Sequence, residues 1–177
     1  MHRYLVALGS NVRHARHGPP QRVIAAALRA LGQAPLHLVA ASPVLASAPL
    51  GPSLRRYANA TALVDSPDDP EAMLARLKAM ERHFGRRPRG RRWGARVLDL
   101  DLVLWHGGTW TSPRLTIPHP AFRERDFVLR PALALTPHWR DPISGLTVRQ
   151  LHGRLTQPRP LPIRHPSAAT RSGVTGP

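Results

Sequence analysis

RRWGARVLDLDLVLW, residues Arg91 to Trp105, is the stretch on which the fold turns. From Arg96 to Trp105 apolar and polar residues alternate over most of the length, which predicts a β-strand. Side chains of a strand alternate faces, so Leu98, Leu100, Leu102 and Leu104 are expected on one side and Asp99, Asp101 and Val103 on the other. At about 3.3 Å per residue the two aspartate Cα atoms stand about 6.6 Å apart, close enough to converge on one metal ion or a pair. Magnesium suits them, because it takes one or two carboxylates together with substrate phosphates. The same D-x-D pattern can also be the solvated face of an amphipathic strand.

Working back from the strand, Arg86 to Gly94 (RRPRGRRWG) holds five arginines, and Arg96 makes a sixth. Guanidinium groups bind phosphate oxygens in bidentate fashion and stay charged, while Gly85, Gly90 and Gly94 let such a loop fold over a ligand. Trp93 can stack on a base or pack the loop down. An arginine loop of this kind also suits RNA. Asp69-Pro70-Glu71 predicts a helix start, with an apolar stripe through Met73, Leu74, Leu77, Met80 and Phe84 and a stop at Gly85. Glu81 falls on or beside that stripe, near Lys78, where a carboxylate needs a partner.

Further out, Arg3 to Leu8 reads as a strand ended by Gly9-Ser10-Asn11, and Gln21 to Leu31 as a helix. Leu36 to Leu45 and Tyr57 to Val64 read as strands, with a mobile loop from Ala48 to Arg56 between them. Tyr57 and Asn59 share a face, an aromatic platform beside an amide. Beyond the D-x-D strand, Pro118-His119-Pro120 leads to short helices around Phe127 to Leu135 and a last one at Val148 to Leu155. Strands interleaved with helices predict a mixed sheet with helices packed on it. Residues 1–156 are expected to form one domain, and 157–177, rich in Pro, Ser, Gly, Thr and Arg, a disordered tail.

The 177 residues fit a single domain. No apolar run approaches a spanning helix, no export signal is visible and there is no cysteine, so a soluble, cytoplasmic protein is expected. Lys and Arg number 26 against 10 Asp and Glu, a net charge of +16 that favours anionic partners, though a coding-composition bias toward arginine produces the same excess. Neither a P-loop nor a G-x-G-x-x-G follows a strand, so an ATP site here must be built from arginines and magnesium. His14 and His17, without a third ligand nearby, argue only weakly for a metal site.

RRWGARVLDLDLVLW, with LTIPHPAFRERDFVL at Leu115 to Leu129, resembles the signature of the 6-hydroxymethyl-7,8-dihydropterin pyrophosphokinases. ALGSN at Ala7, PLGP at Pro49, YANA at Tyr57 and GRR at Gly85 extend the resemblance over about residues 3 to 155. It implies an α+β, ferredoxin-like domain whose central, mainly antiparallel sheet is flanked by helices. It further implies a monomer that transfers diphosphate from ATP to the hydroxymethyl oxygen of the pterin, releasing AMP, in folate biosynthesis. By the same resemblance Asp99 and Asp101 hold two magnesium ions, and Arg86 and Arg96 are loop arginines that aid catalysis. Leu74, Lys78, Glu81, Arg92, Trp93, Leu102, Arg114, Thr116, His119 and Arg125 match positions around ATP. Ser47, Ala48, Leu50, Tyr57, Asn59 and Phe127 match the pterin pocket. The chain departs from the family pattern at Lys78, where many members carry glutamine, and at Pro120. Two alternatives stand beside this reading: a paralogue acting on another pterin alcohol, and a non-catalytic RNA-binding module.

Overall fold

The structure, a computed structural model, describes residues 1–47, 56–85 and 96–158. In chain order the elements are β1 (His2–Ser10), α1 (Pro20–Leu31), β2 (His37–Ala41), β3 (Leu45–Ser47), β4 (Tyr57–Ser66), α2 (Pro70–His83), β5 (Asp99–Trp105), β6 (Trp110–Thr111), β7 (Thr116–Ile117), a 3-10 turn (Phe122–Glu124), α3 (Asp126–Leu135) and α4 (Val148–Thr156). The main sheet runs β2-β4-β1-β5 with antiparallel neighbours throughout, and β3 pairs with the start of β4. Consequently β1 and β2 are parallel with β4 between them, and β4 and β5 are parallel with β1 between them. Each of α1 and α2 crosses over one intervening strand, the ferredoxin-like α+β arrangement.

The alternation of β1 divides the core. Tyr4, Val6 and Leu8 pack with Ala58, Ala60, Ala62 and Val64 of β4 and with Leu100 and Leu102 of β5, under Val23, Ile24 and Leu31 of α1 and Met73 and Leu77 of α2. Leu5, on the other face, packs with Phe122 and with Val128, Leu129, Val148 and Leu151 of α3 and α4. Fully burying one such aliphatic side chain contributes about 1.5–3 kcal/mol. The second layer rests on the Leu5 end of the sheet, while Gly9, Asn59 and Asp99 occupy the same face nearer the other end of β1.

The local signals explain the ends of α2. Asp69 accepts the Ala72 N–H at 2.9 Å and Pro70 stands at the first helical position. Gly85, at φ +83, turns the chain away where a side chain would be strained. At α4, Thr147 and Gln150 form a reciprocal capping box.

Four expectations are corrected. β5 begins at Asp99 instead of Arg96, because Arg96 bonds with Asn11 at the strand's entrance. Leu104 does not share a face with Leu98, Leu100 and Leu102. Val6 pairs with Leu102 but Leu5 with Leu104, so Val103 is an extra, bulged residue that reverses the phase and sends Leu104 to the α3 side. The stretch Leu36 to Leu45 is two strands, broken at Pro43, which has no N–H to donate. Finally, β1 does not stop at Leu8: Gly9 and Ser10 belong to it, paired with Asn59 and Ala58, and the strand ends at Ser10. The expected loop from Ala48 and the tail from residue 159 lie outside the described residues.

Candidate active site

β5 is an edge strand, and its two aspartates point to the face that carries Ala7 and Gly9, their register partners on β1. Beyond β1 the row continues onto β4, where Gly9 pairs with Asn59. Asn59 is buried, and its Nδ2 donates to the Ser47 hydroxyl at 2.7 Å. Ser47 in turn pairs with Tyr57, so β3 and the start of β4 bring the expected pterin residues together beside the aspartates. Phe127, in the first turn of α3, packs against the second core, and the Arg125 guanidinium lies 5.7 Å from the centre of its ring.

The carboxylates are held from both sides. Arg96 forms an ion pair with Asp99. Its backbone is fixed by Asn11, which accepts the Arg96 N–H through Oδ1 at 2.7 Å and donates its own N–H to the Arg96 carbonyl at 3.0 Å. On the open edge, Glu81 is only 1% exposed and accepts the Leu100 N–H at 2.7 Å. Lys78 donates to Glu81 Oε1 at 2.7 Å and to the Leu100 carbonyl at 3.0 Å. The backbone of the residue between Asp99 and Asp101 is thus captured by a glutamate and lysine pair where a sixth strand would otherwise sit.

His119 follows β7 and donates its backbone N–H to the Val103 carbonyl, at the bulge. Its Nδ1 accepts the Ala121 N–H at 3.2 Å, which leaves Nε2 to carry the proton of the neutral ring. Burial pushes the imidazole below its usual range against the opposing pull of Asp101, Arg125 adds to the lowering, and Asp99 pulls the other way.

Other expected residues are placed differently. Leu102 is buried in the core, so its backbone on the open edge is what it can offer a ligand. Leu74 packs against the same core. Arg114 is largely exposed and pairs with Glu71 at the start of α2, and Thr116 lies exposed beside it in the β6-β7 hairpin. Ala48, Leu50, Arg86, Arg92 and Trp93 lie outside the described residues. His14 and His17 stack on each other at 4.7 Å, and His17 stacks on Phe84, so this pair is a packing feature of the α2 end.

Gly9 and Asn11 were not singled out from the sequence. Gly9 stood inside an apparent turn, yet a Cβ there would lie 3.5 Å from Asn59 Oδ1, in the gap between amide and carboxylate. Among the described residues no cluster of three or more His, Asp or Glu side chains offers an all-protein metal cage. Two part-exposed carboxylates on one strand face, with cations around them, fit a hard divalent ion that takes its remaining ligands from phosphate and water.

The model of the 7,8-dihydro-6-hydroxymethylpterin-pyrophosphokinase (HPPK) family matches residues 5–137. The 2-amino-4-hydroxy-6-hydroxymethyldihydropteridine pyrophosphokinase of Pseudomonas aeruginosa is 42% identical over 142 residues, covering 79% of this chain and 84% of that protein. The protein of the same name from Haemophilus influenzae is 40% identical over 128 residues, 71% of this chain and 76% of its own. That of Methylorubrum extorquens is 33% identical over 157 residues, 88% of this chain and 94% of its own.

Proposed function

The chain belongs to the 7,8-dihydro-6-hydroxymethylpterin-pyrophosphokinase family, and from that membership we infer that Asp99 and Asp101 are the magnesium ligands of its diphosphate transfer. The protein is a pyrophosphokinase of folate biosynthesis that transfers diphosphate to hydroxymethyldihydropterin, with ATP as the donor. No helix among the described residues is long and apolar enough to cross a membrane. The comparisons lend no support to an RNA-binding module or to a different pterin alcohol.

The observation that carries the assignment is the row Asn59, Gly9 and Asp99, with Asp101 two residues along the same face. Asn59, whose amide is fixed by Ser47, would read an edge of the pterin, with Tyr57 and Phe127 packing its ring. The open edge of β5 at Leu102 can receive the adenine through backbone groups. Arg96, with Arg86 and Arg92 of the arginine loop, would bind phosphate oxygens. Held by the aspartates, magnesium supplies charge neutralisation at those oxygens. The hydroxymethyl oxygen attacks the β-phosphorus, the bond to the α-phosphate oxygen breaks and AMP leaves. Positioning and electrostatics supply most of the acceleration in such transfers. A cytoplasmic location and a monomeric state belong to this proposal and rest on family resemblance.

The test combines purified protein, magnesium, ATP and 6-hydroxymethyl-7,8-dihydropterin, and follows AMP and the pterin diphosphate. Both form together in the wild type and are lost in Asp99→Ala and Asp101→Ala. Full turnover in either variant overturns the metal-site assignment.

A further inference from the structure

Lys78 sits where a helix meets the open edge of the catalytic strand. Its ammonium is tethered twice, to Glu81 Oε1 at 2.7 Å and to the Leu100 carbonyl at 3.0 Å, and it stands 4.0 Å from Asp101 Oδ1. This is the one salt bridge Asp101 makes among the described residues. On the neighbouring ligand, Arg96 is paired with Asp99. Each carboxylate therefore has a basic side chain beside it.

The two cations differ in how they are held. Arg96 lies at the entrance to β5, whereas Lys78 is anchored to a buried carboxylate and to a backbone carbonyl. A divalent ion arriving alone at Asp101 meets a fixed positive charge that cannot withdraw without breaking two hydrogen bonds. A triphosphate arriving with the ion brings negative charge that offsets the repulsion.

We propose that Lys78 is a positioning residue that counter-charges Asp101 in the empty enzyme, so that the aspartate pair takes up its divalent ion together with ATP and not ahead of it. This rests on the reading that Asp99 and Asp101 are the magnesium ligands. A unit charge about 4 Å from a divalent ion changes its binding by roughly thirtyfold in unscreened water, and by roughly fivefold once salt screening and the Glu81 carboxylate paired with Lys78 are counted. Lys78 and Asp101 are 34% and 33% exposed, so the lower figure applies. By linkage, whatever Lys78 takes from the affinity for free metal it returns as coupling between metal and nucleotide.

The experiment is a Mn2+ titration of the full-length protein, free Mn2+ being read by electron paramagnetic resonance, with and without a non-hydrolysable ATP analogue. Lys78→Gln removes the charge and keeps a donor for the Leu100 carbonyl; Lys78→Met is a second neutral variant, should the first fail to fold; Lys78→Arg keeps the charge. The neutral variants are expected to bind Mn2+ alone about fivefold more tightly, and to gain less from the analogue, with Lys78→Arg close to the wild type. Mn2+ binding that is lost in Asp101→Asn but equal in wild type and neutral variants overturns this proposal alone. Binding that Asp101→Asn leaves unchanged overturns the magnesium assignment and this proposal with it. Weaker analogue binding in the neutral variants, with unchanged affinity for Mn2+ alone, makes Lys78 a nucleotide ligand and also overturns the proposal.

Discussion

Asn59 and Asp99 are the two register partners of Gly9, one on each side of β1, so the amide assigned to the pterin and a carboxylate assigned to the metal stand in one row across the sheet. With strands about 4.8 Å apart, their Cα atoms are separated by about 10 Å. The glycine between them leaves the floor of the row low. On the proposed reading, the sheet itself sets the spacing between the pterin and the metal-bound phosphates.

Replacing either aspartate isosterically removes charge and keeps shape. Asp99→Asn and Asp101→Asn are each expected to lower kcat by about a thousandfold, the scale of losing a preorganised electrostatic contact. Circular dichroism and melting temperature should stay near those of the wild type, since neither side chain belongs to the core. A loss of activity that tracks a loss of fold would defeat the assignment.

Asn59 should behave differently. On the proposed reading Asn59→Ala removes a group that would contact the pterin in ground and transition states alike, so KM for the pterin should rise about tenfold with a smaller change in kcat. Ser47→Ala, which deletes only the partner that orients the amide, should raise KM less. Steady-state kinetics with pterin varied at saturating ATP separates these effects, and a purely kcat defect in Asn59→Ala would remove Asn59 from the pocket.

The alternation from Leu98 to Leu102 made the site legible because charged and apolar residues take turns there. Past Leu102 the chain reads Val103, Leu104 and Trp105, and no polar residue marks the bulge, so the switch of face was invisible. Pro43 did carry a signal for the break between β2 and β3, overridden by the apolar residues around it. Asn11 was hidden for another reason: it works by holding the backbone of Arg96, a residue distant in sequence, and composition cannot express such a contact. Glu81 was readable only as a carboxylate needing a partner. That one partner is a backbone N–H on an edge strand required the topology.

Glu81 should matter to folding as well as to the site. Glu81→Leu leaves the buried Leu100 N–H without this acceptor and Lys78 without its closest partner, and should cost about 2–4 kcal/mol. Glu81→Gln keeps a carbonyl acceptor and should cost less than half of that. Urea unfolding followed by tryptophan fluorescence compares the two, and equal losses would show that the N–H contact contributes little.

His119 binds its proton less readily in the folded chain than its usual value of 6.5 implies, chiefly because it is buried. As pH falls below about 6.5 the unfolded chain takes up the proton first, so stability decreases down to the folded pKa and then levels off. Asp99 and Asp101 oppose the lowering. Their asparagine variants should therefore titrate His119 at lower pH than the wild type, which an NMR titration of the ring protons reads directly. An unchanged titration would place His119 out of reach of the carboxylates.

Asp141 gives a stability effect far from the chemistry. Burial alone would push its carboxyl up, but two 2.7 Å bonds from Arg123, the Ser144 hydroxyl and the Ile143 N–H outweigh this and hold it at about 2, below the usual 3.8. The pair ties the turn before α4 to the 3-10 turn that carries Arg123, just after His119. Because the folded pKa is depressed, its contribution is complete above about pH 4 and is lost as pH falls toward 2. That contribution amounts to about 2 kcal/mol, undiminished by solvent since the carboxylate is 0% exposed. Asp141→Asn should destabilise the protein by about 3 kcal/mol at pH 7 through the stranded guanidinium, and should flatten the decline in stability between pH 4 and 2. Denaturant midpoints measured across that range for both proteins decide the matter: parallel curves would mean that another carboxylate drives the acid transition.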